Sequence, residues 1–141
     1  METIIKTFEE LTLDELYEIL RLRAEIFVVE QNCAYQDIDG VDQVAHHVWL
    51  QDGDGIAAYV RVYDQDGVHI GRVISARRRR GYGTLALRAG IGVAQKVFHA
   101  REITIHAQCY AREFYEKSGF RQSSGEFLED GIPHIEMTWR A

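Results

Sequence analysis

The densest chemical signal in the chain is the run Arg77-Arg78-Arg79-Arg80-Gly81-Tyr82-Gly83-Thr84. Alternating apolar residues precede it and helically spaced ones follow, so its glycines fall where a strand hands over to a helix. A helix N-terminus leaves backbone N–H groups unpaired and carries the positive end of the helix dipole, so it takes phosphate readily. Gly81 and Gly83 let the backbone come close to such a group. The arginines just upstream add charge and fork-shaped donors. RxxGxG in this setting reads as a phosphate-binding loop. A nucleic-acid face would bring further basic stripes, but the net charge is −6 and no second basic run accompanies this one. A dinucleotide fold would place GxGxxG at the start of a βαβ unit, whereas these glycines follow alternating strands in mid-chain. A solvated arginine run is the plain alternative.

A second chemical segment is EQNCAYQDIDGVD, residues 30–42, which carries Glu30, Asp37, Asp39 and Asp42. Residues 1–54 hold 13 acidic and 3 basic side chains, or −10, and residues 55–141 hold 9 and 13, or +4. The division reads as an acidic half that attracts a cation and a basic half that holds an anion, against a bland solvated surface. His46 and His47 are neighbours on a predicted strand and point to opposite faces, so at most one lines a shared cleft. Cys109 has no clear base beside it and is a poor candidate nucleophile, as is Cys33. The two cysteines stand outside any CxxC pair, so free thiols in a reducing cytoplasm are expected, and no metal site.

The elements that must position these groups follow from periodicity. Residues 4–8 open as a short strand. Thr12-Leu13-Asp14-Glu15 reads as a capping box, and Leu13, Leu16, Tyr17, Leu20, Ala24, Phe27 and Val28 then recur at helical spacing. From residue 44 the period becomes two, and three strands joined by Asp/Gly turns form an antiparallel meander. Leu87, Ile91, Ala94, Val97 and Phe98 define a second long helix. A short strand over 103–107, a short helix over 111–117 and closing strands about Asp130-Gly131 complete the chain. The order β-α-βββ-α-β-α-β-β is that of an α/β domain with one mixed central sheet. At 141 residues, 1–141 reads as a single domain. No apolar run approaches the roughly 20 residues of a membrane span, and the N-terminus lacks a secretion signal.

Ala107-Gln108-Cys109-Tyr110-Ala111-Arg112-Glu113-Phe114-Tyr115-Glu116-Lys117-Ser118-Gly119-Phe120 contains AxxFYxxxGF at Ala111, Phe114, Tyr115, Gly119 and Phe120. With RxxGxG upstream, it resembles the signature pair of the GNAT acetyltransferases. Leu22 to Cys33, Tyr35 to Gly40, Ile70-Gly71-Arg72-Val73-Ile74 and Glu129-Asp130-Gly131-Ile132-Pro133-His134-Ile135 resemble its ElaA-like branch, so the likeness covers nearly the whole chain. After Val73-Ile74 the segment is about two residues shorter than that pattern, a matter of strand register. Without a gap Arg80 takes the arginine position and Leu85 falls where a small residue belongs. With the gap, the preferred reading, Arg78, Gly81 and Gly83 fit the motif. Which strand residue faces the thioester stays open.

The resemblance implies a GNAT-like fold in which two parallel central strands splay, and an acyl-CoA-dependent N-acyltransferase. Acetyl-CoA, or a longer acyl-CoA, would lie between the parted strands without a metal. Arg78, Arg79, Arg80, Gly81, Tyr82, Gly83 and Thr84 would hold its pyrophosphate. Val73, Gln108 and Phe114 would meet the pantetheine and thioester. Tyr115 would protonate the leaving thiolate and Glu30 would take the amine proton. The acceptor, a small amine or a lysine side chain, would meet Gln31, Tyr35, Asp39 and His46. A catalytically silent acyl-CoA-binding module is the alternative. No nucleic-acid or membrane partner is expected, and the assembly would be a monomer or homodimer.

Overall fold

The computed structural model describes residues 1–77 and 80–141. Strand β1 (Glu2–Thr7) leads to helix α1 (Leu13–Arg23), which begins as the sequence predicts. Thr12 Oγ1 accepts from the Glu15 N–H at 3.1 Å, and Glu15 Oε1 accepts from the Thr12 N–H at 2.9 Å, closing the capping box. The predicted apolar stripe is out of phase, however. Leu13 is 86% exposed, and the buried residues of α1 are Ile19, Leu22 and Arg23. Beyond Arg23 the chain continues as a π-helical segment, Ala24–Glu30, instead of the α-helix expected to Val28. Its wider turn sets the direction in which residues 26–31 project.

The meander is β2 (His46–Asp52), β3 (Gly55–Asp64) and β4 (Val68–Ser75), followed by helix α2 (Tyr82–Phe98) and β5 (Glu102–Gln108). Helix α3 (Arg112–Glu116) precedes β6 (Phe120–Gln122), β7 (Phe127–Glu129) and β8 (Ile132–Arg140). One mixed sheet runs β1-β2-β3-β4-β5-β8-β6, with β7 also on β8. Every pairing is antiparallel except β4 with β5.

Helices cover both faces. On one, α2 lays Ala86, Leu87, Gly90, Ile91 and Ala94 against Val60, Val62 and Ile70, in a core that also takes in Tyr115 and Phe120. On the other, α1 packs Ile19 and Leu22 against Trp49, Tyr59 and Ile74. Alternation along β3 sends Val60 and Val62 to the first face and Tyr59 to the second. Among the described residues no helix is long and apolar enough to cross a membrane.

Candidate active site

The site begins with a slip of register in β4. Arg61 pairs with Gly71 and Tyr59 with Ile74, so three steps along β4 match two along β3. This is a β-bulge, and Arg72 occupies it in the left-handed region at φ 52°. The extra residue inverts the alternation. Ile70 and Val73 both meet the α2-side core, and Ile74 turns to the α1 side. The strand next parts from its parallel neighbour: β4 and β5 pair at His69↔Thr104 and nowhere further along among the described residues. A cavity of about 720 Å³ opens between them, lined by Val73, Ile105, Gln108 and Tyr115 among others.

The α2 end of the cavity carries the predicted anion loop. Gly81 is the N-cap of α2 with φ 74°, a conformation that favours glycine, and as a glycine it brings no capping side chain of its own. Gly83 lines the cavity and is buried because a Cβ on it would stand 3.2 Å from Ser75 Cβ and 3.3 Å from the Phe114 ring. Tyr82 and Thr84 follow in the first turn and Arg80 precedes the cap; none of the three reaches the cavity wall. Arg78 and Arg79 lie outside the described residues. Phe114 and Tyr115 line the same wall from α3. The Tyr115 ring meets Phe114 edge-on at 5.0 Å and Phe120 at 6.0 Å. Burial pushes its hydroxyl pKa up, so at neutral pH the group keeps the proton a general acid needs.

The opposite wall comes from the π-helical segment and the loop after it: Ile26, Phe27, Glu30, Gln31 and Tyr35. Gln31 and Gln108 exchange amide hydrogen bonds at 3.2 Å across the cleft. The acidic loop behind this wall is not the cation trap that the charge count suggested. Arg23, fully buried, donates to Asp37 Oδ2 at 3.0 Å, to Asp42 Oδ1 at 2.6 Å and to the Asp37 carbonyl. Arg61 donates to Asp42 at 3.0 Å and pairs with Asp39. Arg72 donates to Asp37 Oδ1 at 2.8 Å and Asp39 Oδ2 at 3.2 Å, with its guanidinium over the Tyr35 ring at 5.4 Å. Three carboxylates thus face three guanidiniums, and the charges of Asp37, Asp39 and Asp42 cancel.

Two expectations are corrected here. Asp39 does not line the cavity: it is held by Arg61 and Arg72. Burial alone would raise its pKa, but the Arg61 hydrogen bond and charge overrule that and hold it at about 2. His46 stands edge-on to Phe98, at the far end of α2, with ring centroids 5.3 Å apart, away from the cavity. The opposite-face reading of the histidine pair holds, but His47 joins the buried network, bonded to Tyr59 and the Asp42 carbonyl. Its pKa is lowered, by burial first. At Cys109 desolvation and the Glu126 carboxylate push the thiol pKa up, which leaves a poor nucleophile.

Sequence reasoning assigned no role to the third wall. The hairpin about Asp130-Gly131 contributes Glu129, Asp130, Ile132 and His134, and β5 adds His106. His106 Nδ1 donates to Glu129 Oε1 at 2.9 Å, and His134 Nε2 stands 3.6 Å from Glu129 Oε2. The signal was available: a two-residue turn pairs Glu129 with Ile132 and Phe127 with His134, so alternation places Glu129 and His134 on one face.

Residues 14–141 match the family model of the acetyltransferase (GNAT) domain. The chain is 37% identical over 143 residues to a UPF0039 protein of Schizosaccharomyces pombe, across 97% of this chain and 95% of that one. Escherichia coli ElaA is a structural neighbour at 34% identity and a TM-score of 0.92, over 99% of this chain and 100% of that one. An acyl-CoA N-acyltransferase from Pseudomonas aeruginosa superposes with a TM-score of 0.91 at 36% identity, over 99% of each chain.

Proposed function

The chain belongs to the GNAT acetyltransferase family, and from that premise we propose that it transfers an acyl group, acetyl in the first instance, from acyl-CoA to a primary amine. The observation that carries this reading is the cleft where β4 and β5 part, with a protonated, buried Tyr115 on one wall and a helix N-terminus headed by Gly81 at its end.

The acyl-CoA thioester supplies an electrophilic carbon, and the residues of the chain do the rest. Arg80, Gly81, Tyr82, Gly83 and Thr84, with Arg78 and Arg79, hold the pyrophosphate by backbone N–H groups and charge. The bulge at Arg72 leaves Val73 without a ladder partner on β3, so its backbone is available to the pantetheine and to the thioester oxygen. One such donor on the tetrahedral oxyanion is worth roughly 3 to 4 kcal/mol. Gln108 offers an amide to the pantetheine and Phe114 packs beside it. Tyr115 protonates the departing thiolate. Gln31, Tyr35 and Glu30 meet the amine, and Glu30 at the mouth draws in its positive charge. The free thiols of Cys33 and Cys109 accord with a cytoplasmic enzyme.

Calorimetric titration of acetyl-CoA, followed by CoA release with an amine panel, tests the reading. Micromolar, stoichiometric binding and turnover are expected, and Tyr115→Phe keeps the binding while losing most of the rate. No binding at millimolar acetyl-CoA would refute it. Binding without turnover across the panel would favour a sensing module.

A further inference from the structure

His134 sits on β8 directly opposite Gln108 of β5, so the two side chains share a sheet face. Its neighbour Ile135 points into the core that contains Tyr115, so His134 and Tyr115 approach the cleft from opposite faces. His134 Nδ1 lies 2.7 Å from the carbonyl oxygen of Ile132. A carbonyl only accepts, so Nδ1 carries the hydrogen and the neutral ring keeps a lone pair on Nε2. The His134 side chain is 8% exposed, and its lone pair faces Oε2 of the more exposed Glu129 at 3.6 Å. The two acceptors stand side by side, and an ammonium beside them, with more than one N–H, can donate to both. Glu129 is itself held from its other oxygen by His106 Nδ1, and the Phe127 ring stacks on His134 at 6.1 Å.

We propose that His134, in place of Glu30, is the general base for the acceptor amine, with Glu129 stabilising the imidazolium and His106 positioning Glu129. This rests on the acyl-transfer reading above. The ammonium gives one proton to His134 Nε2. The freed lone pair forms the N–C bond to the thioester carbon, the C–S bond breaks, and Tyr115 passes its proton to the thiolate. The second amine proton restores Tyr115, and His134 releases the first to solvent. Acid and base therefore work from opposite faces with the thioester between them. The other titratable groups on the cavity wall are Asp130 from the hairpin turn, Tyr110 after β5, Arg72 from β4, and Glu30, Cys33 and Tyr35 from the facing loop. Of the three carboxylates on the cavity wall, Glu30, Glu129 and Asp130, the one that stands at His134 Nε2 is Glu129.

The test uses the full chain with acetyl-CoA and two probe amines, lysine amide and benzylamine. His134→Asn keeps an N–H for the Ile132 carbonyl and removes Nε2. It is expected to lower kcat about 10²-fold with acetyl-CoA affinity unchanged, and to abolish the acidic limb of the kcat profile. Glu129→Gln is expected to lower kcat by less than His134→Asn does, with acetyl-CoA affinity unchanged, because the base keeps its lone pair and loses only the charge that faces it. Nitrogen NMR of the unaltered chain should report the Nδ1–H tautomer at His134. An unchanged profile in His134→Asn, with Tyr115→Phe impaired, would overturn this proposal and spare the acyl-transfer reading. The Nε2–H tautomer would overturn it without any assay. No turnover by the unaltered chain would sink both.

Discussion

Replacing Arg23 by Met isolates what the buried ion network contributes. Met fills much of the space of the arginine stem but ends in no charge. Three hydrogen bonds disappear, to Asp37 Oδ2, Asp42 Oδ1 and the Asp37 carbonyl, and the network passes from neutral to a surplus of one negative charge. Breaking a buried pair from one side costs about 3 to 5 kcal/mol. The lower end applies, because Asp42 keeps Arg61 at 3.0 Å and Asp37 keeps Arg72 at 2.8 Å and the Tyr35 hydroxyl at 2.7 Å. A loss of about 3 kcal/mol in a domain of this size lowers Tm by about 10 °C. Adding Asp42→Asn removes the surplus charge, so the double variant is more stable than the sum of the two losses, by about 1 to 3 kcal/mol. Urea unfolding of the four proteins at pH 7 measures the cycle. The deficit of Arg23→Met should also shrink in acid, where the surplus carboxylate takes a proton. A single variant within about 1 kcal/mol of the parent, or strict additivity in the double, would show that the network is not a coupled unit.

Three further outcomes are expected. Asp39 and Asp42 are lowered by their arginines and His47 by burial, so each binds more protons unfolded than folded. Their contribution is complete above the unfolded values of about 6.5 for His and about 4 for Asp, and is lost as pH falls below them. For Asp39 the loss continues to about 2, which an acid titration of far-UV dichroism would follow. In Gly90→Ala the new Cβ would stand 2.9 Å from Val60 Cγ2, on a stiff β-branched side chain, so α2 must move off the sheet. The loss of about 1 to 3 kcal/mol would appear in denaturant unfolding. Arg72→Gly should be more stable than Arg72→Ala by about 1 kcal/mol, since both lose the ion pairs and only glycine escapes the strain of φ 52°. Equal midpoints for the two would place the bulge strain elsewhere.

Features that depend on near neighbours were legible in the sequence. The Thr12–Glu15 capping box, the Asp/Gly turns and the glycines at the head of α2 each rest on residues a few positions apart. So was the order of strands and helices, because each period persists for several residues. The α1 stripe was misjudged because Arg23 takes a core position, which hydropathy alone opposes. Its partners Asp37 and Asp42 lie 14 and 19 residues away, and only the fold brings them together. The same remoteness made the acidic loop look unneutralised, since Arg61 and Arg72 arrive from β3 and β4. The phase slip from Ile70 to Val73 shows in the sequence as a break in alternation, just before the 73–80 segment whose register stays open in the sequence. Neither His46 nor His47 could be assigned to a face by alternation alone, because that fixes only their opposition.

The single parallel bridge at His69↔Thr104 also divides the sheet mechanically. On one side lie β1 to β4 and on the other β5 to β8, each an antiparallel ribbon stitched along its length. Tension applied between the two chain ends, which lie on β1 and after β8, must cross this seam. Interstrand bonds there are few among the described residues, so the load passes to the core that Val60 and Ile70 share with Ile103 and Ile105. Any ligand that spans the parted strands becomes a rivet across that seam, and resistance to pulling should rise with its occupancy.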